Sequence, residues 1–318
     1  MLNRIAIRRL AVCAVSMSFL LMCGVMAGCS VSGKSAPSDG ETLTVTDFAG
    51  RNVVFGQPPQ RIVALGNGEV ELIYALGGEV VGRPEVDREL VIEAAKDVPT
   101  VGSTHTVDME KIAALKPDVV LGHDPINAND VPLLQRLGVQ TVLTHANSID
   151  DIRRQIALFG ELLDKREKAA ELTAKLDAEL GQIREKPEDE KRVLIVYGAP
   201  GTFMAALPNS LAGDLLSAAG GRNVAADFPS LSGFPQYAQL NTERVVEARP
   251  DLILIMTHGD AEAVRQGFVR EMESNTAWRS VTAVQQDGIH VLPPDLFGTN
   301  PGTRAAEAAQ WLAELLDE

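Results

Sequence analysis

The chain is predicted to be an α/β protein of two lobes joined by one long backbone helix, with a ligand cleft between the lobes. Three observations predict this. Residues 109–121 read MEKIAALKPDVVL and residues 242–254 read TERVVEARPDLIL, two copies of one helix-to-strand unit. Apolar strand-like runs alternate with helix-like segments on both sides of the middle, the pattern of a mostly parallel sheet covered by helices. Between the two copies, residues 148–186 contain no proline and read as helix throughout.

Each element has a local reason. In both repeats a helix-like piece with one early glutamate (Glu110, Glu243) meets a basic residue and then Pro117 or Pro250. Proline has no N–H and disfavours helix just before it, so the helix stops there. The apolar, largely β-branched runs that follow are expected to be strands buried on both faces. Earlier, residues 41–55 alternate as a β-hairpin around Ala49-Gly50, and Pro58-Pro59 ends it. RIVAL (61–65) is expected as a strand, 68–76 as a helix closed by Gly77-Gly78, and 79–82 and 98–102 as short strands. A helix around Leu133, Leu134 and Leu137 ends at Gly138, and 140–143 forms a further strand.

Ser148 and Asp151 pair as caps of a first long helix whose apolar face is Ile152, Ile156 and Phe159. Asp164 and Glu167 are expected to cap a second, 165–186, with Leu172, Leu176, Leu180 and Ile183 as its stripe. Pro187 ends it. The second half repeats the same grammar: a strand at 193–197, a hairpin-like TFMAAL, a helix at 210–219, the repeat unit, a strand at 289–292 and a last helix at 303–317.

The first residues belong to export and not to the fold. Arg4, Arg8 and Arg9 lead into an apolar run that ends in Met26-Ala27-Gly28-Cys29, which resembles the lipobox of bacterial lipoproteins. Cleavage before Cys29 would leave that cysteine lipidated and in contact with membrane lipid. Cys13 and Cys23 leave with the signal, so no internal disulfide or thiolate metal site is expected. The expected organisation is a signal peptide at 1–28, a flexible tether at 29–40, an N-terminal lobe at 41–163, a linker helix at 164–186 and a C-terminal lobe at 187–318. The location is extracytoplasmic, at the cell membrane. With 45% apolar and 23% charged residues the chain is globular in composition. Its net charge of −14 argues against nucleic acid, and loss of the three signal arginines makes it more acidic still.

Taken together, RIVAL with ELIYALG, VGSTH-TVDMEKIAALKPDVVL, the linker helix, SLAGDLLSAAGGRNV and LNTERVVEARPDLIL resemble the class III solute-binding proteins of ABC importers. The resemblance implies Rossmann-like lobes and capture of cobalamin, a ferric siderophore or haem, with no enzymatic activity. The last third, IMTHGDAEAVRQGF and AWRSVTAVQQDGIHVLPPDLFG, is similar to haem-receptor lipoproteins of the iron-regulated surface determinant type. That similarity makes His258 an iron ligand. The second ligand position, a methionine in the relative, is held here by His105. A glutamate on each lobe of the family contacts the permease dimer, which its ATPase drives, and Glu110 and Glu243 match those places.

The chemistry agrees with this assignment. Ligands of open α/β sheets bind outside the carboxyl ends of strands, and His105 and His258 both follow strands. Imidazole is a strong axial ligand for haem iron. His123, in VVLGHD, is the substitute for either. Tyr197 and Met204 are expected to line the cleft, Tyr197 with a phenolate as a further option, and Phe203 and Tyr237 share that expectation. Arg83 is placed to meet a propionate. A ferric-siderophore or cobalamin receptor is the alternative within the fold, a secreted α/β enzyme the alternative outside it. The chain has no G-x-S-x-G elbow, H-E-x-x-H or G-x-x-x-x-G-K phosphate loop. A monomer is expected.

Overall fold

The computed structural model describes residues 42–86, 90–183, 190–199, 202–257 and 261–318. The signal peptide, Cys29, the whole tether and His258 lie outside these residues.

The first half opens on the hairpin β1 (Leu43–Thr46) and β2 (Asn52–Phe55), paired antiparallel with Leu43 opposite Phe55. Asp47, in its turn, is buried and accepts hydrogen bonds from the Arg51 guanidinium and from Leu143 N, which pins the hairpin to the sheet. That sheet is β3 (Ile62–Ala64), then β4 (Val119–His123), then β5 (Gln140–Thr144), all parallel. Helices α1 (Asn67–Ala75), α2 (Met109–Leu115) and α3 (Val131–Arg136) connect them. The strands expected at 79–82 and 98–102 are reduced to single bridges, Val63 with Gly82 and Arg83 with Thr100.

Two helices follow, α4 (Ile149–Leu162) and α5 (Arg166–Leu180). Ser148 Oγ accepts from Asp151 N as anticipated, while the Asp151 carboxylate reaches back to Asn147 N. The start of α5 departs from expectation. Asp164 sits at φ 54 in the joining turn and Lys165 is the N-cap, without a side-chain hydrogen bond. The helix is also shorter than the predicted 165–186, spanning about 22 Å at ~1.5 Å per residue.

The second half contains β6 (Arg192–Ala199), β7 (Thr202–Ala206), α6 (Leu211–Ala218), β8 (Arg222–Asn223), β9 (Ser230–Leu231), β10 (Phe234–Gln239), α7 (Thr242–Ala248) and β11 (Leu252–Thr257). Then come α8 (Ala261–Ser274), α9 (Thr282–Gln285), β12 (Ile289–Val291), α10 (Pro294–Phe297) and α11 (Ala305–Leu316). The sheet order is β12-β11-β6-β7-β10-β9, with β8 beside β6. It is parallel across β12, β11 and β6 and antiparallel beyond.

The repeat extends further in space than in sequence. Asp108 and Asn241 cap α2 and α7 by accepting backbone N–H bonds, and Lys116 and Arg249 close them in the left-handed region, at φ 47 and 45. Arg61 and Arg192, at the starts of the neighbouring strands, each donate to the last carbonyls of that helix: Arg61 to Leu115 O and Lys116 O, Arg192 to Ala248 O and Arg249 O. Asp118 and Asp251 accept backbone N–H bonds from Arg61 and Arg192 in return.

Strands buried on both faces divide the core by alternation. Val63, Leu65 and Val120 join an outer cluster with Ile112 and Leu134 in the first half. Leu194, Val196, Ile253 and Ile255 join another with Phe268 and Trp278 in the second. The inner residues, among them Ile62, Leu121, Val193, Ile195 and Leu254, meet in one cluster with residues of α1, α4, α5, α6 and α11. The two halves thus share their largest core in addition to a separate outer cluster each. Among the described residues no helix is long and apolar enough to cross a membrane.

Candidate ligand-binding cleft

The carboxyl ends of the first sheet gather three histidines. His105 is exposed near the tip of a tight turn in which Ser103 N donates to Thr106 O and Thr106 N to Ser103 Oγ. His123 is the last residue of β4, and His145 follows β5. The turn and the end of β4 are joined by Asn127, which is 1% exposed. Its Oδ1 accepts from His123 N at 2.9 Å, and its Nδ2 donates to Thr104 O at 3.4 Å. His145 lies between Asp124 and Asp151, at 3.8 and 3.7 Å, and meets the Phe48 ring in a T-shaped contact.

These surroundings act on the protonation of His123. Burial lowers its pKa below the ordinary histidine value, His145 and His105 add to the lowering, and Asp124 opposes it. Nδ1 of His123 is shielded from solvent and has no hydrogen-bond partner among the described residues. A neutral imidazole keeps a nitrogen lone pair, the form that ligates metal.

In the second sheet Tyr197 of β6 stands opposite Met204 of β7 and level with Met256 of β11. Tyr237 packs against Tyr197 with ring centroids 5.4 Å apart. Burial raises the pKa of Tyr197, and burial with the Tyr197 neighbour raises that of Tyr237 to about 12. Both phenols therefore stay protonated at neutral pH. Phe203, on the opposite face from Met204, packs on Phe268, which packs on Trp278. Phe203 therefore belongs to the outer core, correcting its expected place in the cleft.

A narrow crevice lies where α1 meets the loop before α11. Val70, Val86, Leu90 and Val91 supply apolar lining, with Asn67, Asn300 and Arg304 as polar groups. Among the described residues no histidine lines it. Arg83 is committed elsewhere: its guanidinium donates to Ala95 O, Pro84 O and Lys96 O. Those bonds give it a structural role that the sequence did not reveal. Glu110 and Glu243 are exposed in the first turns of α2 and α7. His258 lies outside the described residues.

The comparisons with known proteins agree with this architecture. The chain is 29% identical over 239 residues to the high-affinity heme uptake system protein IsdE of Staphylococcus aureus, across 74% of this chain and 80% of that protein. The crystal structure of S. aureus IsdE complexed with heme superimposes with a TM-score of 0.73 at 28% identity, covering 81% of this chain and 99% of that one. An ABC transporter substrate-binding protein from Listeria monocytogenes EGD-e gives 0.71 at 29% identity, over 82% and 100%. An ABC-type Fe3+-hydroxamate transport system protein from Saccharomonospora viridis gives 0.70 at 26%, over 87% and 99%. The periplasmic binding protein model matches residues 62–296, from β3 into α10. With both halves inside that match, the chain belongs to the periplasmic binding protein family, whose members carry solutes and are not enzymes.

Proposed function

We propose that this chain is the receptor of an ABC importer that captures haem outside the cytoplasm and delivers it to a permease dimer and its ATPase. The protein is monomeric and held at the membrane by lipid on Cys29. Iron is ligated by His258, which follows Thr257 of β11 in sequence, and by His105 of the first half. The observation that carries the reading is the convergence of imidazoles at the carboxyl edge of the first sheet, where the turn bearing His105 is tied to the end of β4. The identity with a heme uptake protein supports the same ligand. Tyr197 and Met204 are assigned to the cleft wall of the second half. Glu110 and Glu243 meet basic pockets on the permease.

Capture involves axial ligation and apolar burial and changes no covalent bond of the ligand. The test is haem titration of the chain without residues 1–29, beside His258→Ala. An intense Soret band that changes shape in the variant supports the assignment, and an unchanged spectrum removes it. A ferric siderophore or cobalamin is the second reading, favoured by the likeness to the Fe3+-hydroxamate protein. Its anionic chelates call for several cleft cations and aromatic rings. An aromatic content of 4% and an Arg83 committed to backbone carbonyls count against it.

A further inference from the structure

Glu71 and Gln155 of the first half interlock with Thr303 and Asn300 of the second. Glu71 Oε2 accepts from Thr303 N at 2.9 Å and Oε1 from the Thr303 hydroxyl, so both carboxylate oxygens are used. Asn300 donates to Gln155 Oε1 of α4 at 2.9 Å, and its own Oδ1 accepts from Gly302 N, which fixes the loop that carries Thr303. Glycines on both sides allow so close an approach. A Cβ on Gly68 would lie 2.7 Å from Asn300 Cβ, and one on Gly302 would collide with Glu71 Oε2. Glu71 and Gln155 are buried, which shelters their bonds from competing water.

The place of this contact gives it a consequence. α1 begins just past the carboxyl end of β3, and the loop with Asn300 and Thr303 lies beyond the carboxyl end of β12. In parallel sheets that is the edge where ligands bind. The chain itself enters the second sheet at Arg192, the amino end of β6, on the opposite edge. The narrow crevice on the cleft side is lined by Asn67, Val70 and Glu71 from one half and by Asn300, Pro301 and Arg304 from the other. Arg304 is held by Asp295 and Glu307, so the loop is braced from its own side as well. The shared apolar core draws the halves together without fixing a direction; the hydrogen bonds add one. We propose that Glu71 is a positioning residue, whose two bonds to Thr303 form a clamp that sets the separation of the halves on the cleft side. A ligand held from both halves then meets groups already at their working distance, which lowers the ordering cost of capture and slows loss. The clamp goes beyond the haem reading above, and its effect on haem rests on that reading.

The test measures the separation directly, without ligand. The chain lacking residues 1–29 has no cysteine. Gln135→Cys on α3 and Glu247→Cys on α7, both at exposed positions, therefore carry one spin label each, and pulsed electron paramagnetic resonance gives the distance between them. With Glu71 intact one narrow distribution is expected, and with Glu71→Ala a longer and broader one. Glu71→Gln keeps an acceptor for Thr303 N and a donor for its hydroxyl, so it should restore the narrow distribution, a rescue that general loss of stability would not produce. If Glu71→Ala leaves the distribution unchanged, or Glu71→Gln opens as far as Glu71→Ala, the proposal is overturned. Should Glu71→Ala fail to fold by far-UV circular dichroism, Thr303→Val decides in its place, a broadened distribution in support and an unchanged one against. Haem loss is the second readout. It should be roughly tenfold faster from Glu71→Ala than from wild type, the scale of one lost bond to a charged group, and near the wild-type rate from Glu71→Gln. Equal rates in Glu71→Ala and wild type would overturn the positioning role. A wild type that takes up no haem strikes the haem reading alone, and the distance measurement still decides the clamp.

Discussion

Glu71 of α1 accepts two hydrogen bonds from Thr303, one from its backbone N at 2.9 Å and one from its hydroxyl, and so ties the first half of the chain to the second. Beside it Asn300 donates to Gln155 Oε1, Gln155 Nε2 donates to Thr144 Oγ1, and Thr144 Oγ1 donates to Glu69 Oε1. Two carboxylates on one helix thus anchor the loop before α11. Gly302, at φ 60, lies so close to Glu71 Oε2 that a Cβ there would collide with it.

Removing the hydroxyl in Thr303→Val is expected to cost about 1.5–3 kcal/mol, the range for a hydrogen bond to a charged group. Gly302→Ala adds both the collision and a left-handed backbone and is expected to cost at least as much. Urea denaturation of the two variants checks this. A loss below about 0.5 kcal/mol in both would show that the halves are held mainly by their shared apolar core.

Glu69 is buried and its pKa is raised, first by desolvation, with its own backbone N–H and Thr144 opposing the rise. The folded state therefore holds its proton more tightly than the unfolded chain, whose value is near 4.5. Stability is fully present below that value and falls as pH climbs through the raised folded pKa. Glu69→Gln copies the protonated form. Its stability should match wild type in acid, exceed it at neutral pH and show a flatter decline between. Denaturation midpoints from pH 4 to pH 8 give the comparison, and parallel profiles would rule out Glu69 as the titrating group.

The repeat was legible because its causes are local. A capping residue, a short helix, a basic residue and Pro-Asp lie next to one another, and α2 and α7 begin and end where those residues stand. The stripe of α5 was legible too: Leu176 is buried, and Leu172, Leu180 and Ile183 pack on the same core. Its boundaries were not, because Asp164 takes a turn conformation that no periodicity marks. Glu69 and Glu71 escaped notice since helix glutamates are ordinarily solvated, and the partner of Glu71 lies 232 residues away. The hint available was two carboxylates interleaved with Val70, Leu72 and Ile73. The place of His123 at a strand end was legible from VVLGHD, while the clasp by Asn127 and the shielded Nδ1 depend on how the following loop folds back.

The arginine clamps of the two repeat units should act independently. The Arg192 bonds to Ala248 O are half-buried, those of Arg61 to Leu115 O exposed. Arg192→Ala is expected to cost about 2 kcal/mol and Arg61→Ala about 1, since solvent competes for exposed bonds. No partner is shared, so the double variant should equal the sum of the singles within about 0.5 kcal/mol. Chemical denaturation of the three proteins decides it, and a clear excess in the double variant would mean that the two clamps communicate.

Glu110 and Glu243 occupy equivalent places, exposed in the first turn of α2 and of α7. At a helix start a carboxylate also favours the helix by about 0.3–1 kcal/mol, so a stability change alone would say nothing about docking. Transport separates the two roles. On the proposed docking role, a permease of two like subunits would offer two like basic pockets, and each lost charge-assisted contact would weaken docking by about 1.5–3 kcal/mol. That is roughly tenfold or more per site. In Glu110→Ala with Glu243→Ala, haem capture by the isolated protein should therefore be unchanged while uptake by cells or proteoliposomes carrying the permease collapses. Each single variant should fall between. Uptake at the wild-type rate in the double variant would leave both glutamates with the helix-start role alone.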